Sequence, residues 1–179
     1  MFGSGSLKGK KVLMVIAHQR FRDEELLHTR DVLVKKGAKV VVASTSMAPA
    51  SGMLGARVKP DALLGRVKAE DYDALVFVGG AGAEVYFNDD RALELARSAH
   101  SQGKVVAAIC IAPSILALAG LLNGKRATVW NGAKYTAILR DRGARYTAEP
   151  VTVDGNIITA SGPQAARRFG EAIAKALGG

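Results

Sequence analysis

GKVVAAICIAPSILALAG, running from Gly103 to Gly120, decides how the chain folds. Val105 to Ile109 form a short apolar run with branched residues, as a strand covered on both faces requires. Pro113 suits the first turn of a helix, where its missing N–H costs nothing. Ser114 to Ala119 continue as helix formers and Gly120 offers a stop. Cys110, the only cysteine, therefore falls on a sharp turn between a strand end and a helix start. The free N–H groups and partial positive charge of a helix start favour thiolate over thiol, so the cysteine pKa is expected to fall. Such a turn needs small residues two positions to either side, and Ala108 and Ala112 supply them. A lone cysteine is also compatible with inert, buried packing. Both readings stay open on this stretch alone.

Upstream, the same alternation repeats. Lys11 to Ala17 reads as a first buried strand, and Phe21 to Lys36 as an amphipathic helix with Asp23, Glu24 and Glu25 in its first turn. Gly37 ends that helix, and Lys39 to Ser44 is the next strand, completing a βαβ unit. Thr45 to Arg66 holds Pro49, Gly52, Gly55, Pro60 and Gly65. It is expected to be loop with a small hairpin or edge strands near Ala56 to Lys59, serving as a lid, an oligomer contact or a plain surface excursion. Ala74 to Val78 is a further buried strand, stopping at Gly79-Gly80. Glycines there let amides point into the crevice at the sheet's carboxyl edge, as an anion or oxyanion pocket or as a simple tight turn. Their spacing does not match a dinucleotide fingerprint.

Downstream, Asn88 to Gln102 is a helix, Lys125 to Trp130 a short strand and Lys134 to Arg142 another helix. Val151 to Ala160 reads as a hairpin around Asp154-Gly155, and Ser161-Gly162-Pro163 opens a last helix reaching Leu177. Strands alternating with helices predict an α/β fold, a single-domain, flavodoxin-like three-layer sandwich with a mostly parallel sheet and helices on both faces. Residues 1–10 are expected to be a flexible N-terminal leader and 11–179 the domain. In such a sheet, function gathers at the carboxyl ends of the strands. Three distant pieces should meet there: His18 to Glu25, the Gly79-Gly80 turn and Cys110.

Composition narrows the function. At 179 residues, almost half of them hydrophobic, the chain fits one domain with a sizeable core. One cysteine rules out an intramolecular disulfide framework and a multi-cysteine metal site, and suits a reducing, cytoplasmic setting. No apolar run approaches a membrane span. The net charge of +9 invites a nucleic-acid reading, but the basic residues are scattered and lack interleaved aromatics. A generally basic, solvated surface is the better account.

Several motifs together resemble the DJ-1/PfpI superfamily, a branch of the class-I glutamine-amidotransferase-like fold. They are Phe21-Arg-Asp-Glu-Glu25-Leu, Asp73-Ala-Leu-Val-Phe-Val-Gly-Gly80, Ala107-Ala-Ile-Cys110-Ile-Ala-Pro113, Val153-Asp-Gly155-Asn and Ser161-Gly-Pro163. The resemblance implies that Cys110 is a reactive cysteine, that Glu25 hydrogen-bonds its sulfur, and that the amides of Gly80 and Ile111, beside Gly79, are oxyanion donors. A carboxylate and a thiolate side by side must share a proton, since two adjacent anions repel. Protease-like members carry histidine directly after the cysteine; here that residue is Ile111. Glu84 stands where those members place an acid reaching a neighbouring subunit, present without the histidine it would orient. His28 and His100 are expected to face solvent, whereas His18 is a candidate general base or a lining or capping group. Trp130 either walls the site or packs in the core.

By this resemblance the chain is expected to be a stress-response enzyme acting on small reactive carbonyls, of glyoxalase III or deglycase type, converting methylglyoxal to lactate through Cys110, Glu25 and His18. Neither metal nor organic cofactor is required, and the partner is a small carbonyl substrate, with no nucleic acid and no membrane. The resemblance also implies a homo-oligomer, dimer or hexamer. A PfpI-like cysteine peptidase or amidase is one alternative, weakened by Ile111. A redox sensor or holdase chaperone without turnover is the other.

Overall fold

Short apolar runs become the middle of one sheet. The computed structural model describes residues 6–179. In chain order its elements are β1 (Lys11–Val15), β2 (Gln19–Phe21), α1 (Asp23–Lys35), β3 (Lys39–Ser44), β4 (Ala50–Gly52), β5 (Arg57–Val58), β6 (Ala62–Leu63), β7 (Ala74–Phe77), α2 (Asp90–Ser101), β8 (Val105–Ile109), α3 (Pro113–Leu118), β9 (Arg126–Ala127), α4 (Ala133–Asp141), β10 (Arg145–Tyr146), β11 (Val151–Asp154), β12 (Ile157–Ala160) and α5 (Ala166–Ala176). Seven strands form the main sheet in the order β11-β12-β8-β7-β1-β3-β6. All neighbours are parallel except the β11–β12 hairpin. β7 and β8 are buried throughout because VVAAI and ALVF carry no polar side chain and lie in the middle of the sheet.

Helices supply the outer layers. α1 packs against α5, and α5 in turn against β8 and β12; α2 packs against α3 and against β7 and β8. Gly170 lets α1 and α5 approach, since a Cβ there would meet Val32 Cβ at 3.0 Å and Thr29 O at 3.2 Å. This is the expected mostly parallel α/β sandwich. No helix among the described residues is long and apolar enough to cross a membrane.

Several boundaries move for tertiary reasons. Part of the expected leader belongs to the domain: Leu7 is fully buried and its N–H donates to Lys36 O at 2.9 Å. Residues 1–5 lie outside the described residues. The first helix begins at Asp23 rather than Phe21, because Gln19–Phe21 pairs with β4. The strand expected from Lys125 to Trp130 shortens to β9. Beyond it, the Thr128 N–H donates to Thr159 Oγ1 and the Trp130 N–H to Cys110 O, so the segment runs alongside the cysteine turn. The expected small hairpin is β4–β5.

Candidate active site at Cys110

Cys110 has φ +66°, a left-handed conformation that side-chain-bearing residues seldom adopt. Two backbone hydrogen bonds hold it there: its N–H donates to Ala160 O at 2.9 Å, and its carbonyl accepts from the Trp130 N–H at 2.8 Å. The chain leaves β8, turns at this residue and enters α3 at Pro113, so Cys110 stands at the carboxyl edge of the sheet, only 7% exposed.

The neighbouring strand end must be bare for anything to reach that sulfur. A Cβ on Gly79 would meet Cys110 Cβ at 2.5 Å and Glu25 Oε1 and Ile109 O at 2.6 Å each. Gly80 has φ +96°, and a Cβ there would strike the backbone of Arg20 to Arg22. The two glycines thus let the start of α1 and the end of β7 close on the cysteine turn. Glu25 is fully buried and its Oε1 accepts the Gly79 N–H at 3.0 Å. Its carboxyl couples electrostatically to the Cys110 thiol, and Oε2 is buried without a hydrogen-bond partner. The backbone amides of Gly80 and Ile111 lie at the sulfur and favour its charged form. The three pieces expected to converge are therefore together.

Electrostatics couples the two acids. Burial pushes the Glu25 carboxyl up to about 8, opposed by its bonds from the thiol and the Gly79 amide. Burial, followed by the charge of Glu25, pushes the Cys110 thiol up to about 12, against the pull of the Gly80 and Ile111 amides. This corrects the expectation of a lowered thiol pKa: α3 is only six residues long, and the turn buries the sulfur deeply enough for desolvation to win. The charge of Glu25 acts only while Glu25 is an anion. Below about 8 the carboxyl is neutral, so the first proton to leave comes from the pair as a unit, and the one left behind bridges oxygen and sulfur.

A cavity of about 230 Å³ opens over the sulfur. Ile111, Trp130 and Pro163 give it apolar walls, Met53 reaches in from the β4–β5 hairpin, and Arg22 and Tyr135 supply polar edges. Trp130 is thus a wall, 47% exposed, rather than core. His18 does not line the cavity; its carbonyl accepts from the Ser51 N–H and its Nδ1 is buried without a partner. His100 is exposed as expected, while His28 is half-buried on α1. Glu84 is held within its own chain: Tyr135 Oη donates to its Oε2 at 2.6 Å and Lys134 Nζ to its Oε1 at 2.9 Å. The Tyr135 bond is the leading cause of a lowered Glu84 pKa, and Glu84 raises Tyr135 to about 12. Sequence reasoning passed over Arg22, Met53 and Tyr135. The acid without an evident partner was the one available hint to Tyr135. Among the described residues, no three His, Cys, Asp or Glu side chains gather as a metal site would require.

Comparison with known proteins places this arrangement among relatives. The DJ-1/PfpI family model matches residues 10–176. The chain is similar to uncharacterized protein MJ0967 of Methanocaldococcus jannaschii, 43% identical over 96% of this chain and 84% of that one. It is 36% identical to Deglycase PH1704 of Pyrococcus horikoshii over 86% of this chain and 90% of that one. It is 29% identical to Glutathione-independent glyoxalase DJR-1.2 of Caenorhabditis elegans over 95% and 90% of the respective chains. Among solved structures, the ThiJ/PfpI domain protein from Brachyspira murdochii superposes with a TM-score of 0.91 at 33% identity, covering 96% of this chain and 98% of its own.

Proposed function

The chain belongs to the DJ-1/PfpI family, and from that premise we propose that it is a cysteine-dependent enzyme of small reactive carbonyls, of glyoxalase or deglycase type. One observation carries the proposal: a single sulfur, set beside a buried carboxyl and two backbone amides, lines a small, largely apolar cavity. The names of the deglycase and glyoxalase relatives support it.

With methylglyoxal, the thiolate adds to the aldehyde carbon and the new alkoxide takes a proton from Glu25, giving a hemithioacetal. The amides of Gly80 and Ile111, already aimed at the sulfur, stabilise negative charge that develops beside it. Glu25, now an anion, removes the proton from the former aldehyde carbon and returns one to the neighbouring carbon, while the hydroxyl proton of the hemithioacetal passes to the neighbouring oxygen. The first carbon is oxidised and the second reduced by the same electron pair, so no external oxidant is needed. The product is a thioester of lactate, which water cleaves to lactate and free thiol. His18 has no part in this scheme, because it does not line the cavity.

Ile111 in the cavity wall, with no histidine lining it, disfavours amide cleavage, whose amine leaving group needs an acid at hand. A lone, buried cysteine suits a reducing, cytoplasmic setting. A dimer or hexamer is the assembly that family resemblance suggests. The test is consumption of methylglyoxal with equimolar lactate by the wild type and its loss in Cys110→Ala. Equal turnover in that variant overturns the proposal.

A further inference from the structure

Beside the cavity over Cys110 lies a second one, of about 550 Å³. The two share Arg22, Trp130 and Pro163, so they join along one wall. Their chemistry differs. The larger adds Arg168, Gln164 and Ser161, and no acidic side chain lines it among the described residues. Arg168 is exposed on α5 and has no ion-pair partner among the described residues, whereas its neighbour Arg167 is tied to Asp31 at 3.2 Å. Arg22 gives Nε and Nη2 to Glu24, at 2.7 and 3.2 Å, and keeps Nη1 uncommitted. Glu24 offsets one guanidinium charge, so the positive charge of the other remains. Trp130 adds a half-exposed indole between the two chambers.

Nothing in the fold calls for this cation. The core-facing residues of α5 are Ala166, Phe169, Gly170, Ile173 and Ala174. A guanidinium with its donors free, facing a cavity without acids, recognises carboxylate or phosphate oxygens with a planar fork. The apolar chamber over the sulfur has no such feature beyond the shared Arg22.

Building on the carbonyl-processing reading, we propose that the larger cavity is an anion subsite. Arg168 and Nη1 of Arg22 would hold a carboxylate or phosphate at the far end of the substrate while its carbonyl meets Cys110. The site then prefers carbonyl compounds that carry such a group over bare small aldehydes.

Trp130 is the only tryptophan in the chain, so its fluorescence reports on this place alone. Titration of the intact protein with glycerol 3-phosphate, glycerate and glycerol separates the phosphate, the carboxylate and the uncharged frame. A saturable signal with at least one anion and none with glycerol is expected, the tighter anion identifying the group preferred. Arg168→Ala should weaken that binding by about tenfold or more. Arg167→Ala, outside the cavity, should leave it unchanged. No response to either anion, an equal response to glycerol, or equal affinity in Arg168→Ala overturns the proposal. Binding requires no turnover, so its loss with methylglyoxal consumption intact removes the subsite alone, and binding without consumption removes the carbonyl chemistry alone.

Discussion

At the scale of single residues, Cys110 and Glu25 act as one titrating unit. Their ionisations are coupled in a site closed to water on the carboxyl side, where two negative charges are costly. The pair therefore gives up its protons in two well-separated steps, and only the first falls near physiological pH. Once it is lost, the amides of Gly80 and Ile111 draw the remaining charge toward sulfur, against the burial that disfavours it there. The identity of these residues was legible in the sequence, because a buried strand, a small-residue turn and a proline are all local signals. The direction of the thiol pKa was not, since the depth at which the turn lies depends on neighbouring strands. Arg22 and Tyr135 were hidden for a similar reason. Tyr135 meets Glu84 across 51 positions of sequence, a pairing that no local pattern reports.

At the scale of elements, the regular strands and helices are readable from periodicity, and the β4–β5 hairpin from its turn residues, but not what holds that hairpin in place. What organises it is Asp23, whose position suggested only a dipole-complementing acid. Its two carboxylate oxygens accept the N–H groups of Leu54 and Ala56, each at 2.8 Å. Gly52 makes room, since a Cβ there would lie 2.5 Å from Asp23 Oδ2. The first turn of α1 thus clamps the hairpin and presents Met53 to the cavity over Cys110. Asp23→Ala strips two amides of their acceptor on a half-exposed hairpin, where water can replace it, at a cost of about 1 kcal/mol each. Hydrogen exchange at Leu54 and Ala56 should accelerate strongly in this variant, with exchange in β7 and β8 following only the global stability. Unchanged exchange at those two amides would show that the hairpin is held by something else.

At the scale of the whole molecule, the buried carboxyl links the site to folding. Glu25 goes from its ordinary value of 4.5 in the unfolded chain to about 8 in the fold, so the folded state holds a proton that the unfolded state has lost. Its contribution to stability is full below 4.5 and declines as pH rises through about 8. Cys110, raised from 9.0, works in the same direction only at higher pH. The Tm of the wild type should therefore drop relative to Glu25→Gln between pH 5 and pH 8, the neutral amide having no proton to lose. A difference in Tm that stays flat across that window would mean that the carboxyl is solvated in the fold. The mostly parallel sheet follows from the βαβ alternation, but the closure of α1 onto the cysteine turn rests on Gly79, whose contacts with Glu25 and Cys110 join pieces distant in sequence.

The most direct measurement is the pH dependence of Cys110 alkylation by iodoacetamide, followed by intact mass, in the wild type and in Glu25→Gln. With one cysteine in the chain, the carbamidomethyl group that Cys110→Ala fails to gain reports on this sulfur. The wild-type rate should rise through a midpoint near 8, set by the first proton of the pair. In Glu25→Gln the acidic donor to sulfur is lost, and the midpoint should move up by about one unit or more. Superimposable profiles for the two proteins would contradict the shared proton on which the proposed chemistry depends.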